Sequence, residues 1–353
     1  MAAPCSPTGR INLKELSPQA FDSEILPVMA LLGQPSYRLK QIKDWLFKKG
    51  VEDFSRMTNF PNALADLLAE KYAVSTLQKA GEKTSGDGSK KIVWRLQDGL
   101  QVESVSLPTG KGVTFCISTQ AGCPMGCVFC ATGRGGYHRN LTRGEMIDQV
   151  LFLWRDEGAG TVPNIVFMGM GEPFLNFSNL LDALEMITRE DFIGVGERRV
   201  TVSTIGIPQR IREFADLNMK VRLAVSLNAP TQRQRSALMP GTSPYPLKEL
   251  LSAVVYYYRK TGIRVSLEYV VIPGVNASAQ HISRLSRLIR GLPAKVNCIP
   301  YNQTSQTIRP EGRGETTEQF AAMLREKISL RVTVRKSLGA DIEAACGQLA
   351  VKT

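Results

Sequence analysis

Three cysteines in one short loop raise the first chemical question. In the run AGCPMGCVFCATGRGG, residues 121–136, Cys123, Cys127 and Cys130 stand at a C-x3-C-x2-C spacing. A structural zinc ion takes four protein ligands, yet only three thiols are here and no second C-x2-C pair follows. Zinc that borrows Cys116 or His138 is one alternative. A [4Fe–4S] cluster is the better reading, because cysteine thiolates hold such clusters and a three-cysteine site leaves one iron open to a substrate or cofactor. Gly122, Gly126 and Gly133 would let the backbone wrap closely around so bulky a group.

Two further cysteines draw attention. Cys116 lies just upstream of the loop, and Cys346 sits in GADIEAACGQL between small residues that permit close approach of a substrate. Either alone reads as a small buried apolar side chain; beside a metal loop they suggest a redox pair. The seven cysteines are odd in number and unevenly spaced, which is no disulfide framework. With only His138 and His281 in the chain, there is little room for imidazole acid–base chemistry.

These residues need elements to position them. Residues 18–75 read as a small α module: PSYRLKQIKDWLFKKG repeats apolar residues at helical spacing until Gly50, and NALADLLAEKYAV is a second amphipathic helix. From 76 to 120, KKIVWRLQDG, LQVESVSLP and VTFCIST are β-like and separated by turn signals, so hairpins lead into the main domain. Beyond 121, strand-like runs at 164–170, 198–204, 220–228, 264–272, 295–302 and 330–336 alternate with helical runs near 142–158, 178–190, 208–217, 246–261, 278–290 and 316–328. Such alternation predicts βα units around a parallel sheet, open or curled into a full or partial barrel. The cysteine loop opens right after VTFCIST, at the rim where parallel α/β domains place their sites. Residues 303–315 are polar and are expected to form a mobile loop.

Composition sets the outer limits. A chain of 353 residues, 43% hydrophobic and 22% charged, can bury a large core. It has no run of about 18 apolar residues, so no membrane span is expected, and MAAPCSPTGR lacks the apolar stretch of a secretory signal. A cytoplasmic or organelle-stroma setting is the expectation. Net charge is +12, an excess that commonly answers a polyanion, nucleic acid first. Residues 1–75 are nearly balanced, nine Lys and Arg against eight Asp and Glu, but Arg38, Lys40, Lys43, Lys48 and Lys49 crowd one stretch that reads as an RNA grip.

C-x3-C-x2-C after the first strand of a βα domain is similar to the signature of radical S-adenosylmethionine (SAM) enzymes. Nearly the whole chain resembles one of their families, the RNA adenine-C2 methyltransferases that act on 23S rRNA and tRNA. The resemblance rests on YRLKQIKDWLFKKGVEDFSRMTNFP, CISTQAGCPMGCVFCATG, RNLTRGEM, FMGMGEP, VTVST, SLNAP, MPG, EYVVIPGVN, IPYN and GADIEAACGQL. It implies an α/β fold, a partial (β/α) barrel of the radical SAM type over 121–353, with a small N-terminal helical domain at 1–75 and a connecting β-hairpin region at 76–120. It also implies a [4Fe–4S] cluster on Cys123, Cys127 and Cys130, a SAM site, an electron donor such as flavodoxin or ferredoxin, and a monomer. Gly171 and Glu172 match the segment that meets the SAM amino group. Ser203, Ser226, Leu227, Asn228 and Asn302, at strand ends, are the other expected SAM contacts.

The chemistry implied by that resemblance has two stages. C2 of adenine is electron-poor, so direct polar transfer from a sulfonium is unavailable. Cys346 would take a methyl group from one SAM; a 5′-deoxyadenosyl radical from a second would activate it; and Cys116 would release the tethered RNA by forming a disulfide with Cys346. Glu103, in VESV, matches the position proposed to take the C2 proton. Asn228 departs from the family, which usually has histidine there, and RKSLGAD lacks the family's second Arg-Gly pattern before the aspartate. The sister activity at C8 of the same ribosomal adenosine is the nearest rival, although GCPMGC and ACGQL are more similar to the C2 group. A non-enzymatic, zinc-stabilised RNA-binding protein is a third reading.

Overall fold

The structure, a computed structural model, describes residues 9–110, 112–158, 161–311 and 314–350. Cys5 and most of MAAPCSPTGR lie outside the described residues. Among the described residues, ten strands form one main sheet: β1 (Gln78–Thr84), β2 (Lys90–Arg95), β3 (Gln101–Thr109), β4 (Gly112–Cys116), β5 (Asn164–Phe167), β6 (Val200–Thr204), β7 (Arg222–Ser226), β8 (Val265–Val271), β9 (Ala294–Pro300) and β10 (Val332–Val334). Their spatial order is their sequence order. β1 to β4 form an antiparallel meander, and β4 to β10 run parallel.

Parallel strands need crossovers, and helices supply them. The main ones are α5 (Arg143–Glu157), α6 (Phe177–Thr188), α7 (Pro208–Asp216), α9 (Leu247–Thr261), α10 (Ala279–Leu288) and α11 (Thr317–Lys327). Each expected helix therefore forms, with ends within a few residues of those read from the sequence. Local chemistry fixes the ends. Thr142 and Glu145 form a capping box at the start of α5, and Gly262, at φ +73°, ends α9 by donating its N–H to the Tyr258 carbonyl at 2.8 Å.

Strand β8 shows how the two faces divide. Val265, Leu267, Tyr269 and Val271 are at most 1% exposed, and Tyr269 stacks on Phe320 of α11 with centroids 5.0 Å apart. Each such buried side chain contributes about 1.5–3 kcal/mol. The alternate residues, Ser266, Glu268 and Val270, line cavities on the inner face, together with Thr201, Ala224, Asn297 and Thr333 from neighbouring strands. A single cavity touching that many strands requires a curved sheet. The outermost strands β1 and β10 are not paired with each other, so the curl is a partial barrel.

Strand β4, within the 76–120 region read from sequence as the connection, pairs in parallel with β5.

The N-terminal module, α1 (Pro18–Leu31), α2 (Tyr37–Lys43) and α3 (Asn62–Lys71), docks firmly on the barrel. Lys14 forms a buried ion pair with Asp148 of α5. Arg155 reaches Glu52 at 2.8 Å and the Gly50 carbonyl at 3.2 Å. Phe21 and Phe47 pack edge-on against Phe192 of the barrel, with centroids 5.9 and 4.9 Å away.

Candidate active site

The cysteine loop leaves the carboxyl end of β4 and is held from several sides. The Cys123 N–H donates to Gly136 O (2.7 Å), and the Val128 N–H donates to Leu238 O (3.0 Å) at the end of the short helix α8 (Gln232–Leu238). Gly133, in the short helix α4 (Ala131–Arg134), is required here: a β-carbon on it would stand 2.9 Å from the Cys127 nitrogen. The three thiols share one cleft with about 940 Å³ of empty space. Burial pushes the Cys123 thiol up to about 12 and Cys127 well above its ordinary value, and it raises Cys130 as well; Cys123 and Cys127 also feel the charge of Cys130. Such thiols need a cation to become thiolates.

Cys123, Cys127 and Cys130 line one cavity and are electrostatic neighbours, a set of three thiols that suits a cluster with one iron left open to a ligand.

Of the expected SAM contacts, Gly171, Glu172, Ser203, Ser226, Asn228 and Asn302 line this cleft. Gly171 has φ +102°, and a β-carbon there would come 2.6 Å from Gln120 Cβ, so the turn admits only glycine. Leu227 does not line the cleft; it is 1% exposed, packs in the core and donates its N–H to Glu268 O at 2.9 Å. Asn228 lies at the wall, but its side chain is committed to the fold: Oδ1 accepts from Val270 N at 2.8 Å and Nδ2 donates to Met239 Sδ at 3.2 Å. Its φ of +55° suits asparagine.

Glu172 accepts hydrogen bonds from Thr204 Oγ1 (2.6 Å), Phe174 N (3.0 Å) and Ile205 N (2.8 Å). Burial nevertheless pushes its carboxyl up to about 7, against the lowering effect of those bonds and of Arg235. With a raised folded value, the stabilisation Glu172 gives is complete below its unfolded value and is lost as pH rises through about 7. A ligand that donates N–H bonds favours the ionised form, so SAM binding should release a proton near neutral pH. We expect SAM affinity, measured by calorimetry on the reconstituted protein, to rise between pH 6 and 8. Glu172→Gln should weaken binding and flatten that slope.

A second cavity, with about 680 Å³ of empty space, adjoins the first. Cys346 and Cys130 line both, and Cys116 lines the second. Cys116 and Cys346 are electrostatic neighbours: burial first, and then the charge of Cys346, push the Cys116 thiol up to about 12. Arg335, which the sequence reading passed over, stands between the cavities. Cys346 is the largest influence holding its guanidinium charged, with Glu268 and Cys116 adding to it. Arg335 therefore sets a guanidinium beside both Cys346 and Cys116. Its signal in the sequence is RVTVRK, whose alternate residues Arg331, Thr333 and Arg335 line the inner face. Asn302, expected on SAM, donates Nδ2–H to the Cys346 carbonyl at 3.3 Å.

Glu103 lines neither cavity. It is 2% exposed; one oxygen pairs with Lys91 Nζ at 3.1 Å and the other accepts from Ala350 N at 3.1 Å. A group that takes a proton from substrate must reach it, and Glu103 instead lies behind the Cys346 segment. The expected mobile loop 303–315 is anchored in its described part: Ile308 N donates to Val128 O (3.1 Å) and Tyr301 OH to Ile308 O (2.6 Å).

The basic stretch is partly redirected. Lys43 is 6% exposed, pairs with Asp22 (2.7 Å) and Asp191 (3.3 Å), and sits 4.6 Å above the Phe192 ring. It docks the module on the barrel and does not face solvent. Asp44 pairs with Lys40 and Lys48, at 2.8 and 3.5 Å. Arg38 donates to Asn59 O at 2.6 Å. Lys40, Lys48 and Lys49 stay exposed and are the part of the stretch open to phosphates.

A family model described as the radical SAM superfamily matches residues 117–285, and one described as the ribosomal RNA large subunit methyltransferase N-terminal domain matches residues 11–74. The chain is similar to a probable dual-specificity RNA methyltransferase of Thermotoga maritima, 42% identical over 342 residues, covering 97% of this chain and 98% of the relative. It is 43% identical over 332 residues to a dual-specificity RNA methyltransferase of Anaeromyxobacter dehalogenans, covering 92% and 89% of the two chains. A crystal structure of a radical SAM methyltransferase from Sphaerobacter thermophilus superposes with a TM-score of 0.89 at 39% identity, covering 98% and 99%.

Proposed function

The chain belongs to the dual-specificity RNA methyltransferases of the radical SAM superfamily, and from that premise we propose that it methylates C2 of adenosine in 23S rRNA and tRNA. The observation that carries this reading is the position of Cys346 at the junction of two cavities, one holding the three ligand cysteines and the other Cys116. A lone cluster site would not need that junction.

Cys123, Cys127 and Cys130 would hold a [4Fe–4S] cluster, which would supply the one electron needed to cleave SAM to a 5′-deoxyadenosyl radical and would be re-reduced by a donor such as flavodoxin or ferredoxin. The chain's own residues do the rest. Glu172 and the Gly171 turn hold the amino-acid end of SAM. Cys346, beside Arg335, takes a methyl group by displacement at the SAM sulfonium, giving up its proton, and keeps the methyl as a thioether. That methyl gives a hydrogen atom to the 5′-deoxyadenosyl radical, its carbon adds to adenine C2, and the RNA becomes tethered to Cys346. The tethered base then gives up its C2 proton and passes one electron to a one-electron acceptor, such as the oxidised electron carrier. The Cys116 thiol loses its proton and its sulfur bonds to the Cys346 sulfur; the sulfur–carbon bond breaks with its electron pair left on the methylene carbon, and that carbon takes up a proton to become the methyl group on the RNA. A reductant must return the disulfide to two thiols before the next cycle.

The test is incubation of anaerobically reconstituted enzyme, SAM and reductant with unmodified 23S rRNA and tRNA. Mass spectrometry of the nucleosides should show 2-methyladenosine. 8-Methyladenosine would instead assign the sister activity, and no methylated base from either RNA would remove the proposal.

A further inference from the structure

The segment that carries Cys346 has almost no regular structure; Ala340–Ile342 forms its one helical turn. Hydrogen bonds must hold it, and two of them come from one buried ion pair. Lys91 on β2 and Glu103 on β3 are diagonal neighbours across the antiparallel ladder. Both side chains are 3% exposed. Each has a hand free for the catalytic segment. Lys91 Nζ donates to the Glu343 carbonyl at 3.0 Å, and Glu103 Oε2 accepts from Ala350 N at 3.1 Å. Residues 343 and 350 bracket Cys346. The turn between β1 and β2 adds an outer tie, where Ser85 Oγ meets Asp341 Oδ1 at 2.6 Å and Asp87 Oδ2 accepts from Gly339 N at 2.8 Å.

A buried ion pair is a poor way to gain stability, because the cost of desolvating both charges offsets most of their attraction. It does have one property that an apolar contact lacks. If the segment lifts, both charges regain water, which offsets part of the cost of baring the buried Ala344, Ala345 and Leu349. The pair therefore suits a contact that must close with one geometry and open readily. Cys346 has such a need on the reading above, on which this inference rests: its sulfur must meet a SAM methyl group, then adenine, then Cys116.

We propose that Lys91 and Glu103 form a latch on the Cys346 segment. They act as positioning residues that hold Cys346 at the cavity junction and set how often the segment opens. Glu103 then serves the reaction through Cys346, without touching the base.

The test uses reconstituted holoenzyme with unmethylated Cys346. Its alkylation by iodoacetamide is followed by mass spectrometry of the Cys346 peptide, beside thermal unfolding and RNA methylation. Lys91→Met and Glu103→Gln should each speed alkylation about tenfold or more, as loss of a charge-assisted hydrogen bond predicts. The double variant Lys91→Met/Glu103→Leu removes both charges together and leaves neither buried alone. It should fold, and it should match the single variants rather than multiply them, because all three open the same latch. Unchanged alkylation in the folded double variant overturns the proposal. So does a Glu103→Gln enzyme that alkylates at the parent rate but no longer methylates RNA, since that marks a proton acceptor. Failure of the parent enzyme to form S-methyl Cys346 from SAM would count against the methyl-carrier reading alone, and the alkylation rates would still judge the latch.

Discussion

Replacing Cys116 with alanine should leave the enzyme covalently fastened to its RNA. On the proposed route the tether forms at Cys346 and needs a second sulfur to break it. Cys116 shares the second cavity with Cys346, feels its charge and, unlike Cys130, is not one of the proposed cluster ligands. Without that sulfur the carbon–sulfur bond has no partner to exchange with. A denaturing gel of Cys116→Ala with labelled RNA and SAM should show a shifted protein–RNA band, and multiple turnover should fall to background. Cys346→Ala should give neither band nor product, because no methyl carrier remains. Free product from Cys116→Ala at the wild-type rate would exclude the disulfide step. Equal bands from both variants would mean that the RNA is tethered elsewhere.

The second large effect is expected far from the chemistry. Asp148 is fully buried, pairs with Lys14 Nζ, and accepts from Ser75 Oγ and Thr76 N, both at 3.0 Å. Asp148→Ala would strand the Lys14 ammonium, itself 2% exposed, away from water. Breaking one half of a buried pair costs about 3–5 kcal/mol. Urea unfolding should therefore move to a much lower midpoint. The paired replacement Lys14→Met/Asp148→Leu should recover most of that loss. Because this junction docks the N-terminal module, Asp148→Ala should also weaken RNA binding even where the protein remains folded. A midpoint within about 1 kcal/mol of wild type, the range of an exposed ion pair, would contradict the burial argument.

Much of this molecule could be read from its residues, and the failures share a cause. The crossover helices were legible because their stops are local: a capping box at Thr142, a left-handed glycine at Gly262. The cysteine loop was legible because its spacing is itself the signal. Helix α8, QRQRSAL, was not, since it has too few apolar residues to mark a face. Lys43 looked like surface charge because its partners Asp22, Asp191 and Phe192 lie on distant parts of the chain. Leu227 and Glu103 were placed at the site by motif position, which says which strand a residue occupies but not which face it joins. Arg335 was missed for the opposite reason. An inward-facing charge on a strand is indistinguishable in sequence from a solvated one until the sheet curls around it.

The succession of strands in the sheet carries a consequence for how the enzyme comes into being. Since each strand lies beside its predecessor in the chain, the sheet can grow by accretion while translation is still under way, with little searching between remote parts. The Cys346 segment reaches much further back: its bonds to Lys91 and Glu103 join residues 252 and 247 positions apart. A nascent chain can therefore complete its ten-strand sheet before the Cys346 segment is made, and Cys346 takes its place only once that segment reaches back to β2 and β3.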